Sequence, residues 1–398
     1  MRVPIVQLGD LIRIEKGKKA TRLLERPMPD SHRYLQIEDL RPDAKLKYCG
    51  PFDCPMVSRA DIVIAWDGAN AGTVSCNLHG YIGSTLAVLR PTTSRLFAPY
   101  LSRFLEGKFA YLQANATGAT IPHLSRDVLE GLEIPLPSLS KQHRIARLLE
   151  RADRLRRIRR YALELSDTFL PAAFLELFGD PRTNPKGFRI AELGDFLGFV
   201  TSGSRGWAEY YVPKGFRFIR SLDVRMNYIS DDNAVFVSPP DGAEAARTRV
   251  KTGDVLLTIT GAQIGRVAPA PWRLDGAFIS QHVAILRLKP GIVPLFLSMF
   301  LSLECGGQRE IARLQYGQTK PGLNLEQIRE FRIPVPPIPL QERFASLIQQ
   351  HEVLQRGQRE ALRLAEHLFQ SILHWAFSGD HDHEMAEAPS KPLSRLDH

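Results

Sequence analysis

Ile134-Pro135-Leu136-Pro137, followed by apolar residues at Ile145, Leu148, Ala152, Leu155, Ile158, Ala162, Leu165 and Phe169, is the stretch on which the fold turns. Steps of three and four put those side chains on one stripe of a long helix, and such a stripe needs a partner helix to bury it. The chain supplies one: Ile333-Pro334-Val335-Pro336-Pro337 leads into Phe344, Leu347, Leu354, Ala361, Leu364 and Leu368 at nearly equivalent places. The prolines hold each approach extended before its helix begins. Pro171 predicts a kink or break late in the first helix. Gly357 and Gln358 weaken the middle of the second seam, so the expectation is a supported helix pair and not an ideal coiled coil.

The duplication extends upstream of the bridges. Leu8-Gly9-Asp10 opens a pass through Ala60-Asp61-Ile62-Val63-Ile64, and Leu193-Gly194-Asp195 opens another through Gly253-Asp254-Val255-Leu256-Leu257. Each copy is long enough to be a globular domain with a helix attached, so this is no solenoid. In the first copy, strand-length apolar runs cover Ala60 to Trp66 and Leu86 to Pro91, with a turn at Asp67-Gly68-Ala69-Asn70-Ala71-Gly72 between them. Pro99 to Leu112 carries a helical pattern. The second copy repeats the order with strands over Asp254 to Thr260 and Val283 to Leu288, the Gly261-Ala262-Gln263-Ile264-Gly265 turn, and a helix from about Pro294. The fold class is therefore α/β, as two similar mixed domains joined by two long helices in a pseudo-twofold arrangement. Their bounds are 1–137 and 192–337 for the domains, 138–178 and 338–378 for the helices, 179–191 for a turn-rich linker, and 379–398 for a tail expected to be disordered.

The chain has 398 residues, of which 44% are apolar and 24% charged, enough to bury two ordinary cores. A net charge of +9 suits a polyanionic partner. No apolar run approaches the ~18 residues that span a bilayer. Met1-Arg2-Val3-Pro4 leads straight into a domain, so the expected address is the cytoplasm, without a membrane partner. Cys49, Cys54, Cys76 and His79 spell a metal-ligand spacing that leaves two readings, a zinc site or ordinary thiols; the second copy lacks the cysteines.

Catalytic motifs are missing. Ser238-Pro239-Pro240-Asp241 approaches an adenine-methylation motif but has Asp241 where a stacking aromatic must stand, and reads as a turn. Neither Pro42-Asp43 nor Pro240-Asp241 is followed by the carboxylate set and lysine of a metal-dependent nuclease. A phosphate-binding loop of the G-x4-G-K-[ST] kind is absent.

What remains binds. Lys16, Lys18, Lys19 and Arg22 crowd one turn, either to meet phosphates or as a solvated loop. The matching turn of the second copy holds Ser202, Ser204 and Arg205 with Trp207, Tyr210 and Tyr211 close behind, so the two domains are not expected to read the same surface. Thr117 to Leu124 matches Tyr316 to Leu323. There Thr120, His123, Gln318, Thr319 and Lys320 reach for base edges or phosphates, or else the segments are turns capped by Ser125 and Asn324. Gln263 sits in a turn of the same kind. Arg144, Arg147, Arg151, Arg154, Arg156, Arg157, Arg159 and Arg160 load the first long helix, for DNA, for a protein or for solvent.

This order resembles the specificity subunit of type I restriction–modification systems over about residues 5–378. The resemblance rests on the paired Leu-Gly-Asp openings, the Gly118 to Leu124 and Gly317 to Leu323 loops, the Ile-Pro-x-Pro bridges followed by Gln142 and Gln341, Phe178-Gly179-Asp180-Pro181 and Asn184-Pro185-Lys186-Gly187. It implies two target-recognition domains, each reading one half of a bipartite double-stranded DNA site, with an antiparallel coiled-coil spacer that sets the gap. It implies a non-catalytic chain docked to two adenine methyltransferase subunits, with restriction/translocase subunits recruited through them. DNA contacts then fall to Lys16, Lys18, Lys19, Arg22, Thr120, His123, Arg205, Gln263, Gln318, Thr319 and Lys320, and partner contacts to Arg144, Arg151 and Arg154. S-adenosylmethionine, Mg and ATP belong to the partners, and this chain carries no cofactor. A stand-alone DNA-binding protein and the recognition part of a fused methyltransferase–endonuclease are the alternatives, the latter disfavoured because the chain opens on a domain boundary.

Overall fold

The computed structural model describes residues 3–40, 46–118, 120–316 and 322–378. Contacts divide the chain into two units, one of Met1–Arg160 with Glu360–His398 and the other of Tyr161–Arg359. Each unit thus takes one domain, the start of one long helix and the end of the other.

The first unit contains β1 (Ile5–Gln7), β2 (Ile12–Lys16), β3 (His32–Leu35), β4 (Lys47–Cys49), β5 (Met56–Val57), β6 (Ile62–Ala65), β7 (Val74–Cys76), β8 (Gly80–Ile82) and β9 (Leu86–Pro91). After them come α1 (Ala98–Gly107), α2 (Phe109–Ala114), α3 (Arg126–Glu130), β10 (Glu133–Pro135) and the long helix α4 (Leu139–Phe178), which continues into the second unit. The expected single helix over Pro99 to Leu112 is two, because the backbone leaves the helical conformation at Lys108, which caps both.

β1 and β10 pair antiparallel and tie the domain's ends together. An antiparallel sheet of order β2-β9-β6-β7 packs beside a second sheet of order β4-β3-β8-β5, in which β3 and β8 run parallel. The apolar runs of β6 and β9 are continuous because both faces are buried. Ile62, Ile64, Ala87 and Leu89 join a core with α1 and the long helices, while Val63, Ala65, Leu86 and Val88 join a core with the second sheet. Leu-Gly-Asp has a structural reason: Leu8 is fully buried, and Gly9 lets α3 close in, since a Cβ there would stand 3.0 Å from that of Glu130.

The second unit repeats the plan with β11 (Arg189–Glu192), β12 (Leu197–Ser202), β13 (Tyr211–Val212), β14 (Phe216–Ile219), β15 (Val235–Val237), α5 (Ala243–Thr248), β16 (Val255–Thr258), β17 (Val267–Pro269), β18 (Phe278–Ile279) and β19 (Val283–Leu288). It closes with α6 (Pro294–Ser302), α7 (Gly307–Leu314), α8 (Leu325–Arg329), β20 (Arg332–Val335) and the long helix α9 (Ile338–Phe377). β12-β19-β16-β17 matches the first sheet of the other unit strand for strand. The second sheet does not: its order is β13-β15-β14-β18, with the parallel pair at β14 and β18. Gly194 lies against Arg329 as Gly9 lies against Glu130.

The helices pair antiparallel within each unit. In the first, Ile145, Ala146, Leu149 and Ala152 of α4 share a core with Phe369, Ile372, Leu373 and Ala376 of α9. The Arg156 guanidinium lies 3.8 Å from the Phe369 ring centre, and Arg160 donates to Glu366 at 2.8 Å. In the second, Phe174 and Phe178 meet Phe344, Ile348 and Phe296, and Gln355 donates to Asp167 at 2.8 Å. The helix runs unbroken through Pro171, so the break that the proline allowed does not occur. Proline has no N–H to donate, so one backbone hydrogen bond is lost, and the packing of Phe174 and Phe178 on Phe296 and Phe344 in the next two turns supports the helix beyond it.

The apolar stripe itself is a correction. Ile145, Ala152 and Phe344 are buried, but Leu155, Ile158, Leu165, Phe169, Leu354, Leu364 and Leu368 are exposed. The pairing uses the neighbouring stripe through Ala146, Leu149, Ile348, Ala365, Phe369, Ile372 and Ala376, because those positions also face the domain cores.

Candidate nucleic-acid interface

Gly17 places the lysine turn. It sits where a Cβ would collide with the carbonyls of Ile82 and Gly83, and its N–H donates to Leu86 at 3.0 Å. Lys18 N–H donates to Ile82 at 3.2 Å, so the turn is pinned across the start of β9 and its side chains stand over the loops beyond. Lys16 Nζ lies 3.3 Å from Asp67 and 5.7 Å from the Trp66 ring centre. Asp67 also holds His123, with Nδ1 2.7 Å from its other oxygen.

The backbone stitches these loops together. Thr117 and His123 exchange hydrogen bonds at 2.9 and 2.7 Å, Gly68 N–H donates to Pro122, and Leu124 N–H to Trp66. Gly118 supplies the left-handed turn at φ +99° that the exchange needs. Lys18 pairs with Asp53 at 2.5 Å, and that hydrogen bond holds the exposed carboxyl below the usual carboxylate range. Lys19, Arg22 and Thr120 are exposed, and neither cation has an ion pair among the described residues. The structure thus brings Lys16 and His123 together through Asp67 and leaves Lys19 and Arg22 free for an outside anion.

The second unit reproduces this frame. Gly203 meets the carbonyls of Ile279 and Ser280, and its N–H donates to Val283 at 3.1 Å. Ile259 N–H donates to His282 as Trp66 N–H donates to Thr85, and Tyr316 exchanges hydrogen bonds with Gly322 as Thr117 does with His123. Thr260 therefore stands where Asp67 does, Ser202 where Lys16 does, Arg205 where Lys19 does, and Gln281 and His282 where Ser84 and Thr85 do. A cleft of about 480 Å³ is lined by Ser202, Gly203, Arg205, Thr260, Gln281 and His282. His282 Nδ1 lies 2.5 Å from the Thr260 hydroxyl, and its Nε2 lies 3.1 Å from Gln281 Nε2. The hydroxyls of Ser204 and Ser280 and the carbonyl oxygen of Gln281 are buried without a hydrogen-bond partner among the described residues. Arg205 is exposed at the rim, while Gln263 is part-buried with its carbonyl oxygen enclosed. Gln318, Thr319 and Lys320, like the tail from 379, lie outside the described residues.

Sequence reasoning named the lysines and His123 but missed Trp66, Asp67, Thr260, Gln281 and His282. The signal was the register between copies, which sets Gln281 and His282 opposite the small residues Ser84 and Thr85.

The helix arginines divide by role. Arg103, Glu106, Asp153, Arg156 and Arg157 form a closed network, with Asp153 bonded to Arg156 at 2.7 Å and to Arg103 at 3.1 Å. Burial pushes the Asp153 carboxyl up, and the three guanidinium groups outweigh it, leaving the group below its ordinary range. Arg144, Arg151 and Arg154 are exposed, without an ion pair among the described residues. Of the thiols, Cys49 is buried and Cys54 donates to Ile82. Among the described residues, no group of three or more His, Cys, Asp or Glu could hold a metal ion, so Cys49, Cys54, Cys76 and His79 are not gathered. Among those residues, no helix is long and apolar enough to cross a membrane.

A family model for the type I restriction modification DNA specificity domain matches residues 3–164 and 236–363. The chain is similar to the type I restriction enzyme MjaVIII specificity subunit of Methanocaldococcus jannaschii, at 22% identity over 94% of this chain and 93% of that one. It is also similar to the EcoBI specificity subunit of Escherichia coli, at 23% identity over 80% of this chain and 73% of that one. In fold it is similar to the S subunit of a type I restriction-modification system from M. genitalium, with a TM-score of 0.60 at 16% identity, covering 94% of this chain and 96% of the other.

Proposed function

Because the chain belongs to the type I restriction-modification DNA specificity family, we propose that it is the non-catalytic subunit that reads a bipartite double-stranded DNA site for an adenine methyltransferase. One observation carries this reading: two units share the main backbone hydrogen bonds of one loop frame, yet carry different polar side chains on the same loop cluster. A repeated mount with exchanged chemistry suits a reader of two unlike half-sites. Lys16, Lys18, Lys19, Arg22, Thr120 and His123 serve the first half-site. Arg205 and Gln263, with Gln318, Thr319 and Lys320, serve the second.

Two copies of one methyltransferase dock on the long helices. Counted from Gln142 and Gln341, Leu155 matches Leu354, Leu165 matches Leu364 and Phe169 matches Leu368, and all six are exposed. Repeated apolar positions left open on both helices fit a partner that binds twice. Arg144, Arg151 and Arg154 extend that surface on the first helix. Restriction/translocase subunits join through the methyltransferases.

The test is to express the chain with a methyltransferase partner in cells that lack adenine methylation and to map methylated adenines. One bipartite motif with a fixed gap is expected; an assembled complex with a contiguous motif refutes the reading. Lengthening both long helices by four residues adds ~6 Å, or about two base pairs at ~3.4 Å per step. The gap is then expected to grow while both half-site sequences stay.

A further inference from the structure

The cleft of the second unit contains a buried polar group that is left without a hydrogen-bond partner among the described residues. Gln281 follows β18, and its amide nitrogen is held at 3.1 Å by His282, which is held in turn at 2.5 Å by the Thr260 hydroxyl. The relay fixes the carboxamide without using its carbonyl oxygen, which is buried and has no hydrogen-bond partner among the described residues. A buried oxygen of this kind loses its water and gains nothing in exchange unless something outside the chain donates to it. The cleft is lined by the polar side chains of Ser202, Arg205, Thr260, Gln281 and His282, a surface suited to a polar edge.

We infer that Gln281 reads one adenine of the second half-site, its carboxamide facing the adenine N6 donor and N7 acceptor in the major groove. The inference rests on the DNA-reading function proposed above and adds the base and the residue. A carboxamide offers an acceptor beside a donor, and adenine displays their complement on its major-groove edge. His282 and Thr260 are positioning residues, and Arg205 at the rim is placed for a phosphate rather than a base, since it stands exposed outside the relay. The first unit has Ser84 and Thr85 at these places, so it lacks the device, and the preference belongs to one half-site alone.

The experiment maps methylated sites for the assembled complex with the unaltered chain, with Gln281→Ala, with Gln281→Glu and with His282→Ala. All three variants are expected to relax discrimination about tenfold or more at the same single adenine position of one half-site, with the other half-site and the gap unchanged. A structural role alone would weaken methylation at every site equally and leave the motif intact, which would overturn the inference. A second arm needs no variant: 7-deazaadenine, scanned through the second half-site in duplexes bound by the unaltered complex, is expected to weaken binding at that adenine and no other. Equal binding at every position, or a second half-site without adenine, overturns the inference while leaving the bipartite reading in place. An unaltered complex that methylates no bipartite site overturns both.

Discussion

The loop clusters of the two units differ as a charged site differs from a neutral one. The first joins Lys16 to His123 through Asp67, on a turn that also carries Lys18, Lys19 and Arg22; the second holds Thr260, Gln281 and His282 with Arg205 at the edge. The mount beneath them is the same. Gly17 and Gly203 cross the same carbonyls. Asp61 binds Arg90 as Asp254 binds Arg287. Gln142 accepts from Phe97 N–H and donates to Arg95 and Pro137, while Gln341 accepts from Val293 N–H and donates to Gly291 and Pro336. A frame held by backbone hydrogen bonds, two glycines and buried side chains beneath the loops leaves the exposed loop side chains free to change, because none of those contacts uses them.

The largest effects should fall on the mount and strike both units alike. Phe174→Ala is expected to cost about 4 kcal/mol in the second unit, and Leu373→Ala, the matching position, about 3 kcal/mol in the first. Hydrogen exchange resolved by unit checks this, and a loss confined to one unit in both variants would break the equivalence. Gln142→Ala and Gln341→Ala should each cost about 2–3 kcal/mol, since each strands buried backbone groups of a fully buried glutamine's partners.

A smaller effect should separate the units in acid. Asp153 is held below its ordinary range by its guanidinium partners, so its ion pairs stabilise the fold above the unfolded carboxyl value and lose that contribution as pH falls through the lowered folded value. Six residues after Phe97 stands Arg103, whereas six after Val293 stands Met299, so the second unit has no such network at that place. Exchange protection in the first unit should therefore fall before that in the second below pH ~4. Asp153→Asn should remove the difference.

The smallest effect is on salt dependence. Replacing Lys19 and Arg22 by Ala is expected to reduce the log–log salt slope of DNA binding by ~1.8, against ~0.9 for Arg205→Ala. Equal slopes would mean that the charged cluster does not meet phosphate.

Much of the fold was legible because duplication is a pattern in sequence order. The Leu-Gly-Asp openings, the proline bridges and the continuous runs of β6 and β16 each carry a local signature, in turn chemistry or in period. The site was half legible. Lysines announce themselves by charge, and His123 by its loop, but Gln281 and His282 follow a two-residue strand with no pattern around them. The open stripe at Leu155, Leu165, Leu354 and Leu364 was misread for a related reason: periodicity tells which side chains share a face, not what the face meets.

The amino-acid sequence by itself determined that there are two copies, in what order their elements run, and that each ends in a long helix, since these follow from spacing and local backbone preference. Only the tertiary structure decided that the end of each helix completes the core built on the start of the other, and that Asp67 joins Lys16 to His123 while His282 joins Thr260 to Gln281. Those choices depend on contacts between residues far apart in the chain, and no local spacing encodes such contacts.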